Sequence, residues 1–161
     1  MAEICFQMID SPIGKLSLAD NGIGLVAVAY EHAWPALAAR LGPLRERSSP
    51  LIERCQDCLE AYFAGRRKTF DLPLSVSGTV FQKKIWRTLL TIPYGETRSY
   101  AELAHQAGYP RAWRAAGSAN AVNPISIIVP CHRVIASDGS LAGYGGGQAA
   151  KRWLLQREGA I

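Results

Sequence analysis

The feature that most constrains the fold is a change of pattern along the chain, from short strand-like segments to helical spacing. Two turn signals, Ser-Pro-Ile-Gly at residues 11–14 and Asp-Asn-Gly at residues 20–22, separate apolar segments in the first third of the chain. Proline fixes φ in the first turn, and asparagine and glycine accept left-handed dihedrals in the second. The pattern predicts an antiparallel three-stranded meander over residues 3–9, 15–19 and 25–30.

Helical spacing begins at Ser49 and Pro50, where serine is a good N-cap and proline suits the first helical position. The predicted helix runs to Ala64 and carries one apolar stripe, formed by Leu51, Cys55, Cys58, Leu59 and Tyr62. We interpret the two cysteines on this stripe as packing residues. A metal site would need further ligands, and no second Cys or His pair stands at a suitable spacing.

The second half of the chain is predicted to be mainly helical. Capping-box patterns at residues 79–82 and 99–102 start two helices, and Pro110 precedes a third over residues 111–120. The second and third form a helix-turn-helix pattern, and a last helix is expected over residues 148–157. The third helix carries arginines among small side chains. On spacing alone, it fits DNA contact and packing against the neighbouring lobe equally well.

Charge is distributed unevenly between the two halves. Before Gly78 the chain has 8 Lys and Arg against 9 Asp and Glu, and from Gly78 onward it has 10 against 4. A basic half suits a polyanionic partner such as DNA. No apolar run approaches the length of a membrane span, so we expect no membrane partner. The first residues lack a signal-peptide pattern, so we expect a cytoplasmic protein with reduced thiols.

Cys131 differs from the other three cysteines in its sequence context. A buried-looking apolar segment runs into Pro130, and Cys131, His132 and Arg133 follow in succession. A thiolate is the nucleophilic form of cysteine, and nearby cations or a hydrogen-bonded histidine lower the pKa of a thiol. The glycine-rich segment at residues 143–147 could bring its backbone close to a flat ligand. The pattern predicts a Cys-His nucleophile, with a Cys-His pair in a core turn as the alternative.

The Ile-Val-Pro-Cys-His-Arg-Val-Ile segment at residues 128–135 closely resembles the active-site signature of O6-alkylguanine-DNA alkyltransferases. The Ala-Asn-Ala-Val-Asn-Pro segment before it and the Gly-Tyr-Gly-Gly-Gly segment after it belong to the same signature. Fainter matches at residues 10–14 and 61–65 extend the resemblance over nearly the whole chain. The resemblance implies a single-turnover DNA repair methyltransferase that moves the alkyl group of O6-alkylguanine irreversibly onto its own Cys131. O4-alkylthymine is a second candidate substrate.

The resemblance also implies a role for each site residue. His132 would deprotonate the thiol of Cys131 through a water molecule, and Glu158 would orient His132. Tyr100 would donate a proton to the base and so make guanine a better leaving group. The substrate pocket would be formed by the backbone around Cys131 and by Val134, Tyr144, Gly145 and Gly146.

For DNA binding, the resemblance implies that the helix-turn-helix enters the minor groove of double-stranded DNA while the damaged base is flipped out. Arg114 matches the arginine that fills the vacated space, and Asn123 matches a hinge residue. The remaining contact residues of this helix would be Arg111, Ala115 and Ser118. We expect a monomer, with cooperative binding along DNA left open. Trp113 stands where the family pattern leads us to expect a small residue, and it could pack internally or stack near DNA.

Some family members hold a structural zinc ion in the N-terminal domain. In this chain Asn21 stands at the position of one of those ligands. We therefore expect no zinc, and no other cofactor.

The predicted fold class is α+β, with two domains. Residues 1–77 would form an N-terminal α/β domain with a small antiparallel sheet, described in the family as ribonuclease-H-like. This domain would pack on a mainly helical C-terminal domain, residues 78–161, that contains the helix-turn-helix and the active site. Two other functions stay open. One is a non-enzymatic relative that binds alkylated bases, usually with tryptophan in place of the reactive cysteine. The other is a Cys-His hydrolase that regenerates its thiol.

Overall fold

The computed structural model describes residues 3–161. These residues form two compact units, one up to Ser77 and one from Gly78 to Ile161. Across the described part of the chain, no helix combines the length and the apolar character needed to span a membrane.

The first unit is built on a four-stranded sheet with the strand order β3-β2-β1-β4. The strands β1 (Ile4–Ile9), β2 (Leu16–Asp20) and β3 (Leu25–Tyr30) form the predicted antiparallel meander. The edge strand β4 (Leu44–Glu46) is an addition to the prediction, and it pairs parallel to β1. The sheet is therefore mixed. With only three residues, β4 is too short to show a periodic pattern in the sequence.

Two helices accompany this sheet. Helix α1 (Trp34–Leu41), to which the sequence analysis assigned no element, packs with Trp34 in a cluster that includes Ile4, Ala19 and Ala27. Helix α2 (Pro50–Phe63) begins as predicted, because the hydroxyl of Ser49 accepts a hydrogen bond from the N–H of Ile52 at 3.1 Å. Its buried residues are Ile52, Cys55, Leu59, Tyr62 and Phe63.

The second unit contains four helices: α3 (Val80–Leu89), α4 (Tyr100–Gln106), α5 (Trp113–Ala121) and α6 (Gln148–Arg157). Both predicted capping boxes are present, at the start of α3 and at the start of α4. A two-stranded parallel ladder joins β5 (Arg98–Ser99) to β6 (Val134–Ile135). The predicted α+β fold class is confirmed.

Helix α5 begins later than the sequence pattern suggested. Arg111 lies in a turn before the helix, in which the N–H of Ala112 donates to the carbonyl of Tyr109 at 2.9 Å. Ala112 has φ −99° and ψ 36°, outside the helical region, so the first helical residue is Trp113. The indole N–H of Trp86 on α3 donates to the carbonyl of Ala119 at 2.9 Å and ties α3 to α5.

Candidate active site

Cys131 opens a single 3₁₀ turn (Cys131–Arg133) between a buried apolar segment and β6. The turn is held by backbone hydrogen bonds, from the N–H of Cys131 to Val129 at 2.8 Å and from the N–H of Arg133 to Pro130 at 3.0 Å. Only 5% of Cys131 is exposed. The sequence thus places its candidate nucleophile in the interior of the second unit.

His132 and Arg133 of this turn form a buried cluster with Glu158. Nε2 of His132 lies 2.8 Å from Oε2 of Glu158. Arg133 donates from Nε to Oε1 of the same carboxylate at 2.9 Å and from Nη2 to Oε2 at 3.0 Å. Its remaining nitrogen, Nη1, donates to the carbonyl of Ile92 at 2.7 Å. The carboxylate is therefore fixed by two partners, as a buried charge requires.

These contacts determine which protons the cluster carries. Burial alone would raise the pKa of Glu158, but the hydrogen bonds from His132 and Arg133 outweigh it and lower the pKa to about 2. Burial lowers the pKa of His132, against the opposing effect of Glu158. Glu158 is therefore ionised and His132 neutral near pH 7. Because an ionised carboxylate only accepts hydrogen bonds, Nε2 of His132 carries the ring proton.

The second ring nitrogen of His132 is consequently a free base. Nδ1 is buried and has no hydrogen-bond partner among the residues that the structure describes. A neutral imidazole protonated on Nε2 has its lone pair on Nδ1. The cluster thus supplies a buried proton acceptor next to Cys131 in the chain.

The thiol itself is protonated at rest. Burial raises the pKa of Cys131, while a hydrogen bond with the Asn123 side chain and the charge of Lys151 act in the opposite direction. Neighbouring cations lower the pKa of a thiol, but for Cys131 burial has the larger effect. A buried thiol of raised pKa needs a base to become a nucleophile.

Two asparagines connect Cys131 to the end of α5. Asn123 donates from Nδ2 to the carbonyl of Val129 at 2.8 Å, and its Oδ1 accepts from the N–H of Ile125 at 3.0 Å. Asn120, buried on α5, donates to the carbonyl of Cys131 at 3.4 Å. Asn123 thus fixes the segment that leads into the 3₁₀ turn.

Lys151 is a buried residue of the site that the sequence analysis missed. Its side chain is completely buried on α6, and Nζ donates to the carbonyl of Val134 at 2.6 Å and to that of Gly143 at 3.4 Å. Burial lowers the pKa of Lys151 to about 8. The available signal was its spacing, since Lys151 shares the buried stripe of α6 with Leu154 and Leu155, and Glu158 follows at the same spacing directly after the helix. Arg133 was likewise given no role.

Tyr100 stands at the first position of α4, where Ser99 caps the helix by accepting from the N–H of Glu102 at 3.1 Å. A Cβ atom at Gly117 of α5 would lie 3.5 Å from the Tyr100 ring, an ordinary contact distance, so the ring stands directly beside α5. Burial, and next the charge of Cys131, raise the pKa of Tyr100. The phenol therefore stays protonated at neutral pH and can act as a proton donor.

Two of the predicted pocket residues, Tyr144 and Val134, lie beside the same turn. The ring of Tyr144 stands edge-on to His132, with ring centroids 6.4 Å apart. Val134 is fully buried, its N–H donates to the carbonyl of Cys131, and its own carbonyl accepts from Lys151. Gly145 is exposed, Gly146 is half-buried, and a Cβ atom at Gly145 would meet nothing within 4 Å.

The predicted DNA-contact residues Arg114, Ala115 and Ser118 are exposed on α5, and Arg111 is exposed in the turn before it. Small side chains on this face allow a close approach of another surface to the helix backbone. Trp113 is 48% exposed, and the guanidinium of Arg114 lies over its ring, 5.0 Å from the centroid. Within residues 3–161, no group of three or more His, Cys, Asp or Glu side chains could hold a metal ion.

Two family models match this chain along nearly its whole length. Residues 80–160 match the model described as 6-O-methylguanine DNA methyltransferase, DNA binding domain, and residues 4–76 match the ribonuclease-like domain of the same family. The chain belongs to the 6-O-methylguanine DNA methyltransferase family. The family predicted from the Pro-Cys-His-Arg signature is thereby confirmed.

Curated relatives and solved structures agree with this family. The chain is 49% identical over 158 residues to the methylated-DNA–protein-cysteine methyltransferase of Mycobacterium bovis, covering 96% of this chain and 92% of that one. It is 55% identical over 153 residues to the protein of the same name from Methanosarcina mazei, covering 95% and 96%. The crystal structure of Mycobacterium tuberculosis OGT in complex with DNA is 47% identical, with a TM-score of 0.87 over 97% of this chain and 93% of that one.

Proposed function

We propose that this protein repairs alkylated DNA by transferring the alkyl group from O6 of guanine to the sulfur of its own Cys131, once and irreversibly. The observation that carries the proposal is the buried thiol of Cys131 next to a neutral His132 that Glu158 fixes at 2.8 Å, in a chain of this family. The predicted enzyme class, a methylated-DNA–protein-cysteine methyltransferase, is confirmed by relatives of that name at 49% and 55% identity.

The reaction begins with proton transfer from the thiol. Nδ1 of His132 takes the proton of Cys131 through a bridging water molecule, because adjacent residues in a 3₁₀ turn point in different directions. The imidazolium that forms is stabilised by Glu158, which stays ionised. The sulfur then attacks the alkyl carbon, a carbon–sulfur bond forms, and the carbon–O6 bond breaks with its electron pair moving to the guanine.

Tyr100 completes the proton balance. The departing guanine gains negative charge as the carbon–O6 bond breaks, and the protonated phenol of Tyr100 donates a proton to the base. The proton that Tyr100 has given up is replaced by the thiol proton now held on His132, so the proton count of the site balances. The products are an S-alkylated Cys131 and an unmodified guanine, and the alkyl group stays on the sulfur as a thioether. The protein therefore acts once.

Residues 78–161 would both bind DNA and carry out the reaction. The exposed small residues of α5 would lie in the minor groove, Arg114 would occupy the space of the flipped nucleotide, and Arg111 would contact phosphate. A monomer suffices, since one chain holds every group that the reaction uses. A cytoplasmic location is also part of the proposal, because the thiol needs a reducing compartment that contains DNA.

Repair stoichiometry tests the proposal against both alternatives. We expect a molar excess of duplex DNA carrying O6-methylguanine to lose one lesion per protein molecule, after which repair stops. Cys131→Ser is expected to remove none while still binding the duplex. Repair of many lesions per molecule would indicate a hydrolase with turnover. Tight binding without any repair by the wild-type protein would indicate a lesion-binding protein.

A further inference from the structure

We propose that Trp113 is a DNA-contacting residue that stacks on a nucleotide beside the lesion and holds Arg114 ready for insertion into the duplex. This inference rests on the proposed function, since it concerns how the same helix engages damaged DNA. It assigns a role to the one large aromatic side chain that starts α5.

The first observation is the exposure of Trp113. The indoles of Trp34 and Trp86 are 7% and 5% exposed, whereas Trp113 is 48% exposed. Trp34 packs against Phe6 with ring centroids 5.3 Å apart, and Trp86 donates its N–H to a buried carbonyl. These two tryptophans contribute to the interior, but Trp113 presents about half of its surface to solvent. An aromatic side chain on a basic surface is the typical means of binding a base by stacking.

The second observation is the contact with Arg114. The guanidinium of Arg114 lies over the Trp113 ring at 5.0 Å, so the indole restricts the arginine to one side of the helix start. An arginine that is already ordered loses less conformational freedom when it enters DNA. The same stacked geometry is available to a nucleobase, which would replace the guanidinium on the ring when Arg114 moves into the duplex.

The third observation is what surrounds the pair. Arg111 precedes Trp113 in the exposed turn, and the exposed residues that follow, Ala115, Ser118 and Ala121, are small. The half of the chain that holds them carries 10 Lys and Arg against 4 Asp and Glu. A flat aromatic between two arginines, at the edge of a face without bulky side chains, fits a duplex better than it fits an apolar protein surface.

Binding measurements in a Cys131→Ser background separate this inference from the proposed chemistry. The probe is an end-labelled duplex with a single O6-methylguanine. We expect Trp113→Ala to weaken binding by at least about fivefold, because stacking of one base on an aromatic side chain changes affinity by about 5- to 150-fold. Trp113→Phe keeps an aromatic face, so we expect its affinity for the duplex to lie between the affinities of the Cys131→Ser parent and the Trp113→Ala variant.

Trp153 provides the matched control. It lies on α6 with Arg157 stacked on its ring at 5.2 Å, so Trp153→Ala removes the same kind of pair away from α5. We expect Trp153→Ala to bind the duplex as tightly as its parent. A second readout uses Cys131-containing proteins and the free base O6-methylguanine, which needs no flipping. Trp113→Ala is expected to react with the free base at the wild-type rate.

Two results would overturn the inference. Equal affinity of the Trp113→Ala and Trp153→Ala proteins for the duplex would show that the exposed indole makes no useful DNA contact. Loss of reactivity towards the free base in Trp113→Ala would show that the residue supports the structure of the site. Because the affinity is measured without alkyl transfer, a failure of the proposed chemistry leaves the binding result decisive for Trp113.

Discussion

Glu158 is charged although it is almost completely buried, and the proposed chemistry depends on that charge. The carboxylate fixes the tautomer of His132, which leaves Nδ1 free to accept the thiol proton. Arg133 binds the same carboxylate through two nitrogens, at 2.9 and 3.0 Å, and keeps it ionised. We therefore regard Arg133 as a positioning residue, since it acts on the nucleophile only through Glu158 and His132.

Stability at acidic pH tests this cluster. Against the opposing effect of burial, hydrogen bonds from His132 and Arg133 lower the pKa of Glu158 from its ordinary value of 4.5 to about 2 in the folded protein, so the ionised form of Glu158 stabilises the fold. Because the folded-state pKa is the lower one, this stabilisation is complete above about pH 5 and is mostly lost as the pH falls to about 2. In urea unfolding, we expect the stability difference between wild type and Glu158→Gln to shrink over this range. A difference in unfolding free energy that stays constant down to about pH 2 would contradict the stabilising role of ionised Glu158.

The cysteines should differ sharply in reactivity. Burial, and next the nearby Cys58, raise the pKa of Cys55 to about 12, and no base neighbours it in the sequence. We expect Cys55→Ala to transfer the alkyl group at the wild-type rate, measured by single-turnover repair. Cys131→Ala should abolish transfer. A large loss of rate in Cys55→Ala, with its stability intact, would mean that the first unit contributes to the chemistry.

Among the elements, those with strong local signals were predicted well. The meander, α2 and both capping boxes follow from turn residues, N-caps and spacing within a few residues. The missed ladders, β1 with β4 and β5 with β6, consist of only three and two residue pairs and join segments that lie far apart in the sequence. Such pairings depend on tertiary contacts, and so no local pattern reveals them.

The two capping boxes permit a matched test of α4. Ser99→Ala and Thr79→Ala each remove an N-cap that accepts a hydrogen bond from the third helical residue. Each is expected to lower the free energy of unfolding by about 1 kcal/mol in urea denaturation. Only Ser99→Ala should also slow alkyl transfer, because Tyr100 is the first residue of α4. Equal transfer rates in the two variants would show that the start of α4 does not position Tyr100 for the reaction.

At the scale of the whole molecule, the site gathers residues that lie far apart in the sequence. Cys131 and His132 are recognisable from their local signature, and the family resemblance supplied Tyr100 and Glu158. The burial of Arg133 and Lys151 was not predictable in the same way, because each is satisfied by distant partners, such as Ile92 for Arg133 and Val134 for Lys151. From sequence alone, a charged side chain is expected at the surface, because the sequence does not show which distant groups could pair with it in the interior.

The uneven charge predicts how DNA binding depends on salt. Binding of undamaged duplex DNA should weaken steeply as salt rises, with a slope of about −0.9 in log–log form for each phosphate neutralised. We expect Arg111→Ala to reduce the steepness by about one phosphate contact. Arg40→Ala is the control, since Arg40 is exposed on α1 in the acidic half. Equal slopes for the two variants, measured by fluorescence anisotropy, would contradict the assignment of Arg111.

The central claim is that the alkyl group ends on Cys131, and the intact protein mass measures this directly. After incubation with excess duplex DNA carrying O6-methylguanine, we expect a single gain of about 14 Da, the net addition of CH₂ when a methyl group replaces the hydrogen of a nucleophilic thiol. Peptide mapping should place it on Cys131, and Cys131→Ser should show no gain. An unchanged mass while lesions disappear, or a gain on another residue, would contradict the account.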